Sequence, residues 1–251
     1  MEFTNKIKSM LDDSHLYRRC YLTYANNKIL VWIIISILFI RTFFVSYYHI
    51  PTSSMNPTLK EGDMMLVDKT VYNIKVPFTD IYFKINPPSR GDIVTFHYKG
   101  VNMVKRVVAV SGDAVQFKEN RLYVNGKKVK LIKHSNEYVE NKSFEKQKKY
   151  QYANFKETAH DGIEYDVVFS SGFSKEHLSK LIYHTKEFKI PEDTFFLLGD
   201  NRNFSKDSRY IGTIHQKDII SSPKVVVLNY KELWSFITGE IDSLRFFIPL
   251  G

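Results

Sequence analysis

The chain has 251 residues and an apolar fraction of 43%, enough for one large or two modest globular domains. Its single cysteine, Cys20, excludes an intramolecular disulfide and any CxxC metal or redox site. The formal net charge of +9 would suit nucleic acid or anionic lipid, but the lysines are scattered and densest between Lys118 and Lys149, which reads as solvated hairpin and loop surface and not as a nucleic-acid interface.

The first element is a membrane span. "ILVWIIISILFI", Ile29 to Ile40, has no polar side chain except Ser36. Twelve residues are too few for a hydrocarbon core of about 30 Å, which needs roughly 20 in helix. The count reaches 20 at Tyr48 if Arg41 snorkels to the headgroups. Trp32 and the Tyr47-Tyr48 pair fit interfacial anchors. Lys6, Lys8, Arg18, Arg19 and Lys28 precede the span, and after Arg41 no Lys or Arg occurs until Lys60. The positive-inside rule therefore predicts a cytoplasmic tail (1–28), a single-pass anchor (29–48) in the inner (plasma) membrane and an extracytoplasmic remainder. No small-x-small site follows the apolar core, so an uncleaved anchor is expected.

Next comes "HIPTSSMNPTLKEGD", His49 to Asp63, a proline-framed bend with adjacent serines. Such a stretch suits either a linker or a nucleophile held near a membrane surface.

Short strands follow: "DMMLVDK" (63–69), "DIVTFHY" (92–98), "NMVKRVVAV" (102–110), "AVQFKE" (114–119) and "RLYVNGKKVK" (121–130). Asn125-Gly126 predicts a type I′ hairpin turn. Ser89-Arg90-Gly91-Asp92 and Ser111-Gly112-Asp113 are turn clusters. "YDVVFS" (165–170), "TFFLLG" (194–199) and "KVVVLNY" (224–230) are further strands, and helical periodicity is confined to short stretches such as Lys175 to Tyr183. The fold class is mainly β: an N-terminal transmembrane helix, then a barrel- or sandwich-like domain with an inserted β-rich subdomain. The core is assigned to 49–117 and 188–251, and the charge-rich insertion to 118–187.

In "NMVKRVVAV", alternation puts Lys105 on a face with Met103, Val107 and Ala109, and Arg106 on the other with Val104, Val108 and Val110. Both faces are apolar, so one cation must sit among apolar neighbours. Arginine keeps its proton almost anywhere, whereas a desolvated lysine can lose it and then take a proton from a serine hydroxyl. The other arrangement has Lys105 in solvent at a strand edge and Arg106 paired with a carboxylate. Among the eight histidines no HExxH or paired spacing offers a better base, and His97, His134, His160, His184 and His215 fall in separate strands or loops. No GxSxG elbow is present.

"GDNRNFSKDSR", Gly199 to Arg209, follows an apolar strand. It lacks the glycine and glutamate of an EF-hand loop, so no metal site or cofactor is expected. It fits an Asx-rich turn or a shell that orients a catalytic group.

Three stretches, "IPTSSMNPTL" (50–59), "SRGDIVTF" with "VKRVVAVSGD" (89–96 and 104–113) and "GDNRNFSKDSRYIG" (199–212), together resemble bacterial type I signal peptidases in order and spacing from the anchor. The match covers about half the chain, and the family often has two spans where one is visible here. The resemblance implies a membrane-bound Ser-Lys endopeptidase whose partners are the signal peptides of preproteins and membrane lipid. It places the nucleophile at Ser54 and the general base at Lys105. The oxyanion falls to Thr52, where many relatives carry serine, and to the backbone of Ser54. Ser205 is implied to hydrogen-bond the base, with Asp207 and Arg209 as a structural pair beside it. Tyr48, Ile50, Met55, Leu59 and Val104 are expected to line shallow substrate pockets. A dedicated processing peptidase for a conjugative-transfer or pilus client, and a non-catalytic anchored scaffold, are the alternatives.

Overall fold

The computed structural model describes residues 15–76, 79, 81–118, 121–139, 150–159, 161–170, 186–241 and 243–250. The helical stretch expected at Lys175 to Tyr183, with His160 and His184, lies outside them. The chain forms two compact units, divided between Phe44 and Val45.

Among the described residues, the first unit contains the helix α1 (His15–Phe43), with a non-helical residue at Asn27 (φ −120°, ψ 22°). Its Asn26–Phe43 window, with mean hydropathy 1.5, is long and apolar enough to cross a membrane. Those 18 residues rise about 27 Å at 1.5 Å each. The span expected over 29–48 is corrected at its end. The helix stops at Phe43, and Val45–His49 is an extended strand, β1, paired residue by residue with Asp68 to Met64. Branched and aromatic residues suit both a lipid-facing helix and a pleated strand, and here a partner strand decides. Tyr47 and Tyr48 therefore belong to the β domain.

The second unit is mainly β. Its largest sheet has the order β1, β2 (Asp63–Asp68), β16 (Ile219–Asn229), β5 (Ile93–Tyr98), β6 (Val101–Ala109), β14 (Thr194–Leu198), β15 (Ile214–His215), with β17 (Phe246–Pro249) also on β16. A smaller sheet joins β13 (Phe188–Lys189), β7 (Ala114–Lys118), β8 (Arg121–Val124) and β9 (Lys127–Lys128), and β3 (Asn73–Lys75) pairs with β4 (Tyr82–Lys84). Strand β6 is interior, paired with β5 on one edge and β14 on the other. Both of its faces are covered. Val107 packs with Val94, Phe96, Phe195 and Leu197. Val108 packs with Val115, Phe117, Phe196 and Leu198 on the other side. Ala109 joins it there and not the face of Val107 that strict alternation assigned, because the pairing with β14 shifts register between Val107 and Ala109. Each such fully buried side chain contributes roughly 1.5–3 kcal/mol.

Asn125 and Gly126 both take positive φ (52° and 73°) between Val124 and its partner Lys127, the predicted type I′ geometry. The insertion begins later than expected. Leu122, Val124 and Val129 belong to the core of Val108 and Phe196, because β8 pairs with β7. A separate sheet starts at Lys130: β10 (Lys130–Val139), β11 (Tyr150–Thr158) and β12 (Glu164–Ser170), around Ala159, Tyr165 and Val167. Two short helices, α2 (Ser208–Ile211) and α3 (Tyr230–Ile237), were not expected from periodicity. α3 is started by Asn229, whose side chain accepts from the Lys231 and Glu232 N–H groups.

Candidate active site

The bend at 50–63 is closed at its base. Ile50 N–H donates to Asp63 O and Gly62 N–H to Ile50 O, each at 2.8 Å. Met55 and Leu59 plug its underside, with Leu59 N–H donating to Met55 O (2.9 Å). Ser54 lies in a single 3₁₀ turn, Ser53–Met55, and is only partly covered. The serine pair is thus a held turn and not a linker.

Strand β6 brings Lys105 to it. Nζ lies 2.7 Å from Ser54 Oγ and donates to Val104 O at 2.8 Å. Lys105 is 2% exposed. Burial pushes its ammonium down to about 8, with Arg209 acting in the same direction and Asp207 and Asp200 opposing. Lys105 is therefore the inward cation, and Arg106 is buried as well, on the opposite face. Arg106 makes a two-pronged pair with Asp200 (2.8 and 2.7 Å), donates to Gly91 O (2.7 Å), and lies 4.4 Å from the Tyr165 ring centroid. Thr58 Oγ1 donates to the same Asp200 carboxylate (2.6 Å).

The 199–209 loop braces both elements. Asn201 N–H donates to Ser54 O and its carboxamide to Ser53 O, each at 3.1 Å. Asp207 accepts two bonds from the Arg209 guanidinium (2.8 Å each), one from the Arg209 N–H (3.3 Å) and one from the Gly199 N–H (3.0 Å). Burial alone would raise the Asp207 carboxyl, but Arg209, the Gly199 N–H and nearby Ser205 outweigh it and hold it below its usual value. Gly199 has no room for a side chain: a Cβ there would sit 2.5 Å from Ser54 O.

The expected residues fall as follows. Thr52 Oγ1 lies 3.4 Å from Ser54 Oγ, on the open side of the turn. Asp207 and Arg209 form their pair. Ser205 is buried, but its Oγ has no partner in hydrogen-bond geometry. The bond expected from it to Lys105 is not made: the Lys105 Nζ bonds run to Ser54 Oγ and Val104 O. A cavity of about 660 Å³ opens beside Ser54 and Lys105, and Tyr48, Ile50, Met55 and Val104 line it. Leu59 does not. It is fully buried in the core beneath the bend.

Sequence reasoning did not find Met65, Met103 or Phe204, which also line the cavity. It also did not find the buried pair between Arg202 and Glu157 of the inserted sheet. Glu157 shares a face of β11 with Phe155, and Ala159 follows just past the strand, but Asn154, Lys156 and Thr158 make the other face polar, so the strand alone does not single Glu157 out.

With this geometry, comparisons with known proteins point one way. The family described as "Signal peptidase, peptidase S26" matches residues 24–228. The chain is similar to signal peptidase I of Pseudomonas aeruginosa, 36% identical over 183 residues, which cover 69% of this chain and 58% of that protein. It is similar to signal peptidase I of Aquifex aeolicus, 30% identical over 246 residues, covering 84% of this chain and 83% of that one. A solved signal peptidase I from Enterococcus faecalis aligns with a TM-score of 0.31 at 26% identity, over 55% of this chain and 98% of that structure.

Proposed function

Because the chain belongs to the signal peptidase S26 family of peptide-bond hydrolases, we propose that it removes signal peptides from exported preproteins, with Ser54 as nucleophile and Lys105 as general base. The observation that carries this reading is the 2.7 Å approach of a buried lysine amine to a serine hydroxyl. Neutral Lys105 takes the Ser54 proton as Oγ attacks the scissile carbonyl. The oxyanion is held by the Ser54 N–H, in a first turn where N–H groups lack helical acceptors, and by the Thr52 hydroxyl. Lys105 then returns the proton to the leaving amine, and later takes one from the water that releases the acyl group.

The substrate lies extended along the cavity between the Tyr48–Thr52 and Val101–Lys105 segments, paired through its backbone. Apolar, shallow walls favour small side chains next to the cleaved bond. Helix α1 anchors the enzyme in the lipid of the plasma membrane, with the basic tail in the cytoplasm and the β domain outside. Cleavage of a purified preprotein by the wild type, and its absence in Ser54→Ala, is the expected outcome. Cleavage by Ser54→Ala at the wild-type rate would end the proposal.

A further inference from the structure

We propose that Glu157, in the inserted sheet, is a positioning residue for the nucleophile, acting through Arg202 and the backbone of 200–202. The inference rests on the assignment of Ser54 as nucleophile.

Glu157 is 1% exposed and Arg202 is 5% exposed. The two are joined by both carboxylate oxygens, with Nη2 donating to Oε1 at 2.8 Å. The Tyr165 hydroxyl donates to Oε1 as well (2.7 Å). A buried ion pair is a weak source of stability, since apolar residues of the same volume do as well or better. Its geometric effect is larger. The Arg202 N–H donates to Val168 O, and the Val168 N–H donates to Asp200 O, each at 2.9 Å. These bonds clamp Asn201 against β12 in a single parallel bridge. Asn201 is the residue that holds the carbonyl oxygens of Ser53 and Ser54. Arg202 O in turn accepts from Arg209 (2.6 Å), the partner of Asp207.

The inserted sheet therefore forms one side of a vice on residues 200–202, and the nucleophile turn hangs on the other side. Glu157 fixes the sheet's side of the vice. The groups that shift Lys105 are Asp207, Asp200 and Arg209, and Glu157 is not among them. Its influence is on where Oγ sits, and not on the proton affinity of the base.

The test uses the full-length enzyme and a purified preprotein, with kcat and KM measured across pH for wild type, Glu157→Gln, Glu157→Asp and Ser54→Ala. In Glu157→Gln that melts cooperatively, kcat falls about tenfold or more while KM stays within about twofold, since small displacements of reacting groups act on the chemical step. The midpoint of its pH profile stays where the wild type has it. Glu157→Asp keeps the charge but retracts it, and gives an intermediate kcat. A merely structural role would lower the melting temperature and leave kcat per folded molecule unchanged, and that result overturns the proposal, as does a loss confined to KM. If Glu157→Gln does not fold, Glu157→Asp decides alone: a wild-type kcat refutes. Ser54→Ala separates the two claims. An active Ser54→Ala removes the nucleophile assignment itself. An inert Ser54→Ala beside a fully active Glu157→Gln removes only the role of Glu157.

Discussion

In the proposed mechanism Lys105 must be neutral to accept a proton, and its surroundings set how often it is. Burial brings its pKa to about 8 from the ordinary 10.5. At pH 7 about one molecule in eleven then carries the free amine, against roughly one in three thousand for an unshifted lysine. At pH 9 about ten in eleven do, so kcat should rise about tenfold between pH 7 and pH 9. The same shift has a stability consequence. The unfolded chain binds the proton up to 10.5 and the folded one only up to about 8. Between those values the unfolded state binds more protons, so stability rises with pH there, and below 8 the full penalty applies. That penalty is roughly 3 kcal/mol at 1.36 per unit. Lys105→Met should therefore be inert and more stable than wild type at pH 7, with the gap closing toward pH 10. Lys105→Arg keeps length and charge but cannot deprotonate, and should be inert at every pH. The assay is cleavage of a purified preprotein at saturating concentration, with melts on the same samples. A flat pH profile would refute the reasoning. So would more than about a tenth of wild-type turnover in Lys105→Arg, a loss of only about 1.4 kcal/mol.

Arg106→Lys cannot reproduce the two-pronged pair with Asp200 or the bond to Gly91 O; it should lose about 1.5–3 kcal/mol in a denaturant melt, and an unchanged midpoint would contradict the network. Gly199→Ala forces a methyl against Ser54 O and should cut kcat about a hundredfold in a protein that still melts cooperatively; wild-type kcat would show that the turn yields. Protease added to intact spheroplasts should digest the chain after Tyr48 and spare residues 1–28, and protection of the β domain would reverse the proposed topology.

How much of this could be read from the chain depends on whether the deciding contact is local. Lys105 and Arg106 were legible because alternation along one strand makes an apolar pair of faces visible within nine residues. The type I′ turn at Asn125-Gly126 was legible for the same reason, since it depends on two adjacent residues. The end of the span was not. "FFVSYY" satisfies helix and strand alike, and only Met64 to Asp68, elsewhere in sequence, settle it. Leu59 and Met55 are both apolar residues of one bend, yet Met55 reaches the cavity and Leu59 faces the core. No composition or spacing separates them. Glu157 was not legible, because the opposite face of its strand carries Asn154, Lys156 and Thr158, so nothing local demands a buried charge there.

The two adjacent cations on β6 show how little of the chemistry lies in residue type alone. Each is buried, and each displaces water from a charge at a cost of several kcal/mol. Arg106 meets a carboxylate, so its charge is kept and becomes structural. Lys105 meets a hydroxyl and a backbone carbonyl, with Asp207 already taken up by Arg209, so its proton is held more loosely than that of an ordinary lysine. Exchanging the two would fail on both faces. An arginine beside Ser54 would stay charged and could accept nothing. A lysine beside Asp200 would keep its proton through ion pairing, but its donors all leave one nitrogen and could not span both Asp200 oxygens, Gly91 O and Thr58 Oγ1, which Arg106 reaches from three nitrogens. The order Lys-Arg in "VKRVV" therefore follows from what lies opposite each side chain: a serine hydroxyl on one face, and a carboxylate that needs a permanent cation on the other.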